Sequence, residues 1–251
     1  MKTVLITGCS SGFGLEIAKH FLERNWQVVA TMRVPDEDVL PRSEHLRILP
    51  LDVTQADSIR AAIEQAGPID ALVNNAGIGF LNSLEGTPMD KIREIFETNT
   101  FGTMAVTQAV IPQFRERGEG VIVNVTSTVT LKPLLLLSIY TASKAAVNAF
   151  TESLALELQP FGVRACLVLP GRASDTRFSD NARARMLGIP DEYADMAQKI
   201  FTQWAESTEP ETQSKDVAEA VWTVVTDPEA PAFVPAGADA VAWAEAVKGR
   251  G

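Results

Sequence analysis

An α/β fold, with a doubly wound parallel sheet of about seven strands and helices on both faces, is predicted by three observations. Strand-like and helix-like segments alternate from residue 2 to about residue 170. A glycine- and serine-rich turn, Gly8 to Gly14, follows the first strand and opens the first helix. The chain has 251 residues, 46 % of them apolar and 22 % charged, which suits one well-buried core.

The elements follow in order. Val4 to Thr7 reads as a short buried strand. The next helix carries Leu15, Ala18, Phe21 and Leu22 on one face. Gln27 to Thr31 and Leu46 to Leu51 are the second and third strands. Thr54 to Ala66 is a helix, with Thr54 placed to cap it. Ile69 to Asn74 is a strand that runs into Asn75, Ala76 and Gly77. Pro88 suits the first turn of a long helix whose apolar stripe runs from Ile92, Ile95 and Phe96 to Val106 and Val110. Gly120 to Val125 is the fifth strand, and Ser143 to Leu158 a helix with Val147, Phe150, Leu154 and Leu158 at packing intervals. Val163 to Leu169 ends at Pro170. Arg172 to Pro210 is polar and mixed, and reads as a helical excursion. Ser214 to Thr226 is a regular helix and Ala232 to Pro235 the last strand. With no linker of biased composition, residues 1–251 form one domain with one excursion at 172–210.

Charge and composition exclude several classes. A formal net charge of -10 argues against a general nucleic-acid partner, since phosphate binding needs a positive field. The two cysteines, Cys9 and Cys166, cannot build a disulfide framework and suit a reducing compartment. With only His20 and His45 beside them, no metal site is legible. No leader or membrane-length apolar run is present, so the expectation is a cytoplasmic protein with no membrane partner.

Chemistry is concentrated at the ends of the strands. Glycines at 8, 12 and 14 permit a tight turn and a close approach of backbone to a pyrophosphate, which a helix N-terminus favours. At the end of the second strand, where an acid would bind a ribose 2′-hydroxyl, the sequence has Thr31-Met32-Arg33. A guanidinium suits a 2′-phosphate, so NADP(H) is expected over NAD(H). Tyr140 and Lys144 are four apart and share a face if both are helical. An ammonium nearby lowers a phenol's pKa toward a useful range, and Ser127, past the fifth strand, can hold a carbonyl oxygen.

At this point the sequence resembles the short-chain dehydrogenase/reductase family over nearly its whole length. Thr7-Gly8 through Gly14 is similar to that family's TGxxxGxG loop, and Asn74-Asn75-Ala76-Gly77 to its NNAG motif. Asn99, Ser127, Tyr140 and Lys144 fit its catalytic tetrad, and Pro170-Gly171 its turn after the sixth strand. The resemblance implies a Rossmann-like fold and direct hydride transfer between a nicotinamide and a carbonyl or hydroxyl carbon. It gives Tyr140 the acid/base role. Lys144 tunes Tyr140 and holds the nicotinamide ribose, Ser127 positions the substrate oxygen, and Asn99 holds a relay water. It assigns Ser10, Ser11, Gly12, Phe13 and Gly14 to the pyrophosphate and neighbouring ribose, Asp52 and Val53 to the adenine, and Asn74, Ala76 and Gly77 to the cofactor cleft. Thr126 and Thr130 depart from the family pattern, as does Asp175, which stands where a carboxamide-binding threonine is common; Thr176 follows it.

Substrate and partners are read from what remains. Leu134 to Leu137 lead into Tyr140 and argue for a largely apolar ketone or aldehyde and its alcohol. The excursion is expected to act as a lid, offering Phe178, Met186, Leu187, Tyr193 or Met196 to an apolar wall. The resemblance further implies a homodimer or homotetramer, packed through the helices that carry Asn99 and Tyr140. The alternative is a non-catalytic NADP-binding sensor or interaction protein, disfavoured because all four catalytic positions are filled. An epimerase or dehydratase would need a larger C-terminal substrate domain.

Overall fold

The structure is a computed structural model and describes residues 1–176 and 188–249. Seven strands alternate with helices. In chain order they are β1 (Thr3–Thr7), α1 (Gly12–Leu22), β2 (Gln27–Met32), β3 (Leu46–Pro50), α2 (Ala56–Ala66) and β4 (Ala71–Asn74). Then come α3 (Met89–Phe96), a π-helical segment (Glu97–Phe101), α4 (Gly102–Arg117), β5 (Gly120–Val125), α5 (Ser138–Leu158) and β6 (Val163–Pro170). The chain closes with α6 (Ala194–Glu206), α7 (Ser214–Thr226), β7 (Phe233–Ala236) and α8 (Ala238–Lys248).

The sheet has the order β3-β2-β1-β4-β5-β6-β7, and every pairing is parallel. The chain first builds outward from β1 to β3, then restarts at β4 on the other side of β1. Ligands in such sheets bind beyond the strand ends at that reversal.

Alternate residues of each strand serve opposite cores. Val4 and Ile6 of β1 pack with Ile17 and Phe21 of α1 and Val217 and Val221 of α7. Leu5, between them, packs with Ile59 of α2, Val106 and Phe114 of α4, and Leu154 of α5. Burial of each such side chain contributes about 1.5–3 kcal/mol. A strand covered on both faces needs apolar residues at successive positions, which explains the unbroken run Val4-Leu5-Ile6.

Four details differ from the sequence expectation. Helix α2 starts at Ala56, not Thr54, because Asp52 takes both the N–H and the hydroxyl of Thr54 at 2.9 and 2.7 Å, an Asx turn that precedes the helix. The long helix after Pro88 is interrupted by the π-helical segment. Helix α5 begins at Ser138 instead of Ser143, which places Tyr140 on the helix with Lys144. Helix α8 has no counterpart among the expected elements. The excursion contributes a 3-10 turn, Asp191–Tyr193, and helix α6; Phe178, Met186 and Leu187 lie outside the described residues. Among the described residues, no helix is long and apolar enough to cross a membrane, and no group of three or more His, Cys, Asp or Glu is placed to hold a metal ion.

Candidate active site

A cleft of about 900 Å³ opens at the C-terminal ends of the strands. Its floor is two loops locked together. The hydroxyl of Thr7 accepts the N–H groups of Asn75 and Ala76, both at 3.0 Å. The Asn75 amide donates back to Thr7 O at 3.0 Å and Gly8 O at 3.1 Å. Gly8 sits at φ +76°, and a Cβ there would lie 2.9 Å from Ala76 Cα. Only glycine allows this contact. Gly12, at φ +59°, lies against Thr176, with 3.3 Å between an added Cβ and Thr176 Cβ. The N-cap residue of α1, Ser11, spends no side-chain bond on the first turn. Gly8, Ser10, Ser11, Gly12 and Phe13 all line the cleft, whereas Gly14 is buried against the Gly8 carbonyl and the Asn75 amide. This is a cradle shaped for backbone approach to a pyrophosphate, and it fits a dinucleotide.

One end of the cleft is formed by Met32, Arg33, Asp52 and Val53. Arg33 is exposed there and no carboxylate occupies the end of β2. Asp52 is oriented by Thr54 and by Ser58, whose hydroxyl accepts the Asp52 N–H at 2.9 Å. Asn74 departs from expectation. Its side chain is buried, donating to Thr107 and Asn124, both at 2.9 Å, and does not reach the cleft wall. As the last residue of β4 it follows the strand alternation into the core face, and Asn75, one residue on, is turned to the cleft.

At the centre, Ser127, Tyr140 and Lys144 share the cleft wall. Tyr140 and Lys144 lie one turn apart on α5, and Ser127 is hydrogen-bonded to the Tyr140 side chain. Burial pushes the Tyr140 phenol above its usual range, and the Ser127 bond pulls it only partly back. The Lys144 ammonium donates to Val125 O at 3.1 Å and is itself pushed down to about 8 by burial. The lowering of the phenol expected from the lysine is thus outweighed, in the chain alone, by desolvation of both groups. Asn99 is buried off the wall. Its carbonyl oxygen accepts the Ile78 N–H at 2.8 Å and its amide donates to Ile78 O at 3.0 Å and to the Ser143 hydroxyl at 3.1 Å. The π-helical segment turns Asn99 toward Gly77. A Cβ on Gly77 would lie 3.2 Å from Asn99 Oδ1 and 3.4 Å from Lys144 Nζ, so the bare glycine leaves room for both groups.

The far end is walled by Leu134, Leu137, Trp204 and Trp243, with Pro170, Gly171 and Thr176 between it and the cradle. The four leucines divide. Leu134 and Leu137 line the cleft, Leu135 is exposed, and Leu136 packs under α6 with Leu81, Ala197 and Ile200. Leu136 has φ +60°, an uncommon conformation for leucine that turns its neighbours to opposite sides. Tyr193 and Met196, expected on the substrate wall, are not there: Tyr193 donates to Glu85 at 2.9 Å and Met196 is exposed. Gln203 and Trp204 of α6 occupy the wall instead. Asp175 accepts the Ser214 N–H at 2.8 Å and so holds the start of α7, which leaves Thr176 as the residue facing the cradle.

Sequence reasoning missed a clasp. Thr212 accepts the Gly171 N–H at 2.9 Å and donates to Asp239 at 2.7 Å, while Asp239 accepts the Arg172 N–H at 2.7 Å. It also missed Asn75, Trp204 and Trp243 as wall residues. Only Asn75 carried a signal, as part of the motif at 74–77.

A nucleotide-shaped cradle leading to a serine–tyrosine–lysine group defines a class of dinucleotide-dependent oxidoreductases. The chain belongs to the short-chain dehydrogenase/reductase family, whose short chain dehydrogenase model matches residues 2–187. It is 35 % identical over 239 residues to the uncharacterized oxidoreductase YusZ of Bacillus subtilis, covering 90 % of this chain and 85 % of that one. It is 38 % identical over 199 residues to a 3-ketodihydrosphingosine reductase of Bacteroides thetaiotaomicron, covering 77 % and 72 %. A short chain dehydrogenase from Burkholderia cenocepacia in complex with NADP superposes with a TM-score of 0.79 at 26 % identity, over 99 % of this chain and 94 % of that one.

Proposed function

We propose that this chain is an NADP(H)-dependent oxidoreductase that interconverts a largely apolar ketone or aldehyde and its alcohol. The observation that carries the reading is one continuous cleft with Arg33 at one end and the hydrogen-bonded Ser127 and Tyr140, one turn from Lys144, at its centre. The NADP complex of the Burkholderia relative supports the cofactor, and the keto compound in the name of the Bacteroides relative supports the reaction.

When bound, the nicotinamide supplies or accepts the hydride at the substrate carbon. The chain's own residues handle the proton. Ser127 donates to the substrate carbonyl oxygen and fixes it beside the Tyr140 hydroxyl. Tyr140 gives its proton to that oxygen in reduction and takes it back in oxidation. Lys144, when charged, stabilises the phenolate and so offsets the burial that opposes it. Asn99 holds the Ile78 backbone and Ser143, and thereby the place of Lys144; it acts as a positioning residue. Ser10, Ser11, Gly12 and Phe13 hold the pyrophosphate and ribose, Arg33 the 2′-phosphate, Asp52 and Val53 the adenine, and Ala76, Gly77, Pro170, Gly171 and Thr176 the nicotinamide half.

Leu134 and Leu137 supply apolar surface for the substrate, which favours a ligand by about 25 cal/mol for each Å² removed from water. Helix α6 roofs this end, and we assign it a lid role. We also assign the exposed Phe101 and Leu156, 53 % and 73 % accessible on the π-helical segment and α5, to a homo-oligomer face. The reading is tested by following NADPH oxidation with aliphatic, aromatic, steroid, sugar and keto-acid carbonyls. Turnover confined to sugars or small keto acids would contradict it.

A further inference from the structure

Lys132 and Trp243 rim the substrate end of the cleft, and the chemistry above uses neither. The Lys132 ammonium stands 3.2 Å from the centre of the Trp243 ring. The two side chains line the main cleft on one side and, with Leu131, Ala246 and Val247, a separate hollow of about 90 Å³ on the other. Trp243 is not loosely placed, because the first turn of its helix is clasped to the Gly171–Arg172 backbone through Asp239 and Thr212. Lys132 is five residues beyond Ser127, which places a cation on the same loop as the hydroxyl that holds the substrate oxygen.

Three of the other charges at this end, Arg172, Glu211 and Asp239, are already engaged. Arg172 is paired with Glu211, and the Asp239 carboxylate is taken by Arg172 N–H and the Thr212 hydroxyl. Glu209 lines the cleft as an exposed side chain. Among the described residues, no carboxylate lies within ion-pair distance of Lys132. The indole face attracts the ammonium and holds a long side chain in one place, but it neutralises no charge. Its N–H donors therefore remain for an anion, and the ordering of the side chain is already achieved before that anion arrives.

We propose that Lys132, held on Trp243, is the anion anchor of the substrate site. The substrate class is then an amphiphile: an apolar body against Leu134 and Leu137, a reacting carbonyl at Ser127 and Tyr140, and one carboxylate-sized anionic group at the rim. An amine at that position is repelled. This deepens the proposed function and rests on it for the reacting carbonyl alone.

The test is binding of decanoate and of methyl decanoate to the full chain, by calorimetry, with and without NADP⁺. Neither probe needs turnover, so a protein that reduces no ketone still reports on Lys132. The expected result is that decanoate binds about tenfold tighter than the ester, the scale of one charge-assisted hydrogen bond at a partly exposed site. Lys132→Met, which keeps most of the stem on the indole, brings the ratio to about one, and Lys132→Arg retains the preference. Equal affinities in the unsubstituted protein overturn the proposal. So does a ratio that Lys132→Met leaves unchanged, which would make the lysine only a tie between its loop and α8. Separately, failure of any ketone to turn over would count against the proposed function and not against the anion anchor.

Discussion

Lys144 loses its water on folding and keeps one hydrogen bond in exchange, to Val125 O at 3.1 Å. Its folded pKa, about 8, lies below the ordinary 10.5. The folded state therefore binds fewer protons than the unfolded chain between pH 8 and 10.5, and this residue's contribution to stability rises with pH across that window. Below pH 8 the penalty for a buried ammonium is fully present, on the order of 3 kcal/mol. Lys144→Met is thus expected to gain stability over the unsubstituted chain at pH 7, with the gap closing toward pH 10.5. Urea unfolding at several pH values measures it, and a gap independent of pH would contradict the burial argument. Arg33 is the second residue whose role is separable. It sits exposed at the cleft end with no acid at the end of β2, so Arg33→Ala should weaken NADPH binding by tenfold or more and leave NADH binding nearly as it was. Titration of both cofactors decides this; equal losses for the two would remove the 2′-phosphate contact from the account. At this scale the sequence was most legible where chemistry is local. Gly8, Gly12, Tyr140 and Lys144 declare themselves by short spacings. Asn74 did not, because the strand's alternation, and not the motif, decides which of two adjacent asparagines faces the cleft.

Among the elements, α8 does the most that its sequence does not announce. It is alanine-rich, follows Gly237 at φ +102°, and has little apolar periodicity. What fixes it is Asp239 bonding to a backbone segment 67 residues earlier in the chain, a contact no local pattern encodes. Asp239→Ala removes the acceptor of the part-buried Arg172 N–H and leaves the Thr212 hydroxyl only Ala236 O, at 2.9 Å, to donate to. It should lower stability by about 1–3 kcal/mol and displace Trp243 from the cleft. Thermal unfolding and tryptophan fluorescence report both effects, and a loss under about 0.5 kcal/mol would show that the clasp is incidental. The leucine run before α5 teaches a similar lesson. Its apolar character was legible, but the division into cleft-lining, exposed and core positions depends on the left-handed turn at Leu136, which leucine seldom adopts. By contrast the seven strands were readable throughout: the inner strands are buried on both faces and carry continuous apolar runs, and the half-buried edge strands β3 and β7 keep enough apolar residues to show.

For the molecule as a whole, the reversal of strand order between β1 and β4 places the cradle and the serine–tyrosine–lysine group on one edge of one sheet. That architecture could be expected from strand–helix alternation alone, while the substrate end depends on α6 and α8, which arrive from late in the chain. The proposed assembly has a direct check. Leu156→Glu replaces an exposed apolar side chain of α5 with a charge and should shift the mass in solution toward the monomer by light scattering. An unchanged mass would move the interface elsewhere. The central claim is that Tyr140 transfers the proton to a carbonyl held in an NADP(H) cleft. It is tested most directly by NADPH oxidation with a medium-sized apolar ketone, comparing the unsubstituted chain with Tyr140→Phe. The account predicts measurable turnover that falls by at least about 100-fold in the variant, with NADPH affinity changed by less than about threefold. Turnover that survives the substitution, with cofactor still bound, would contradict it.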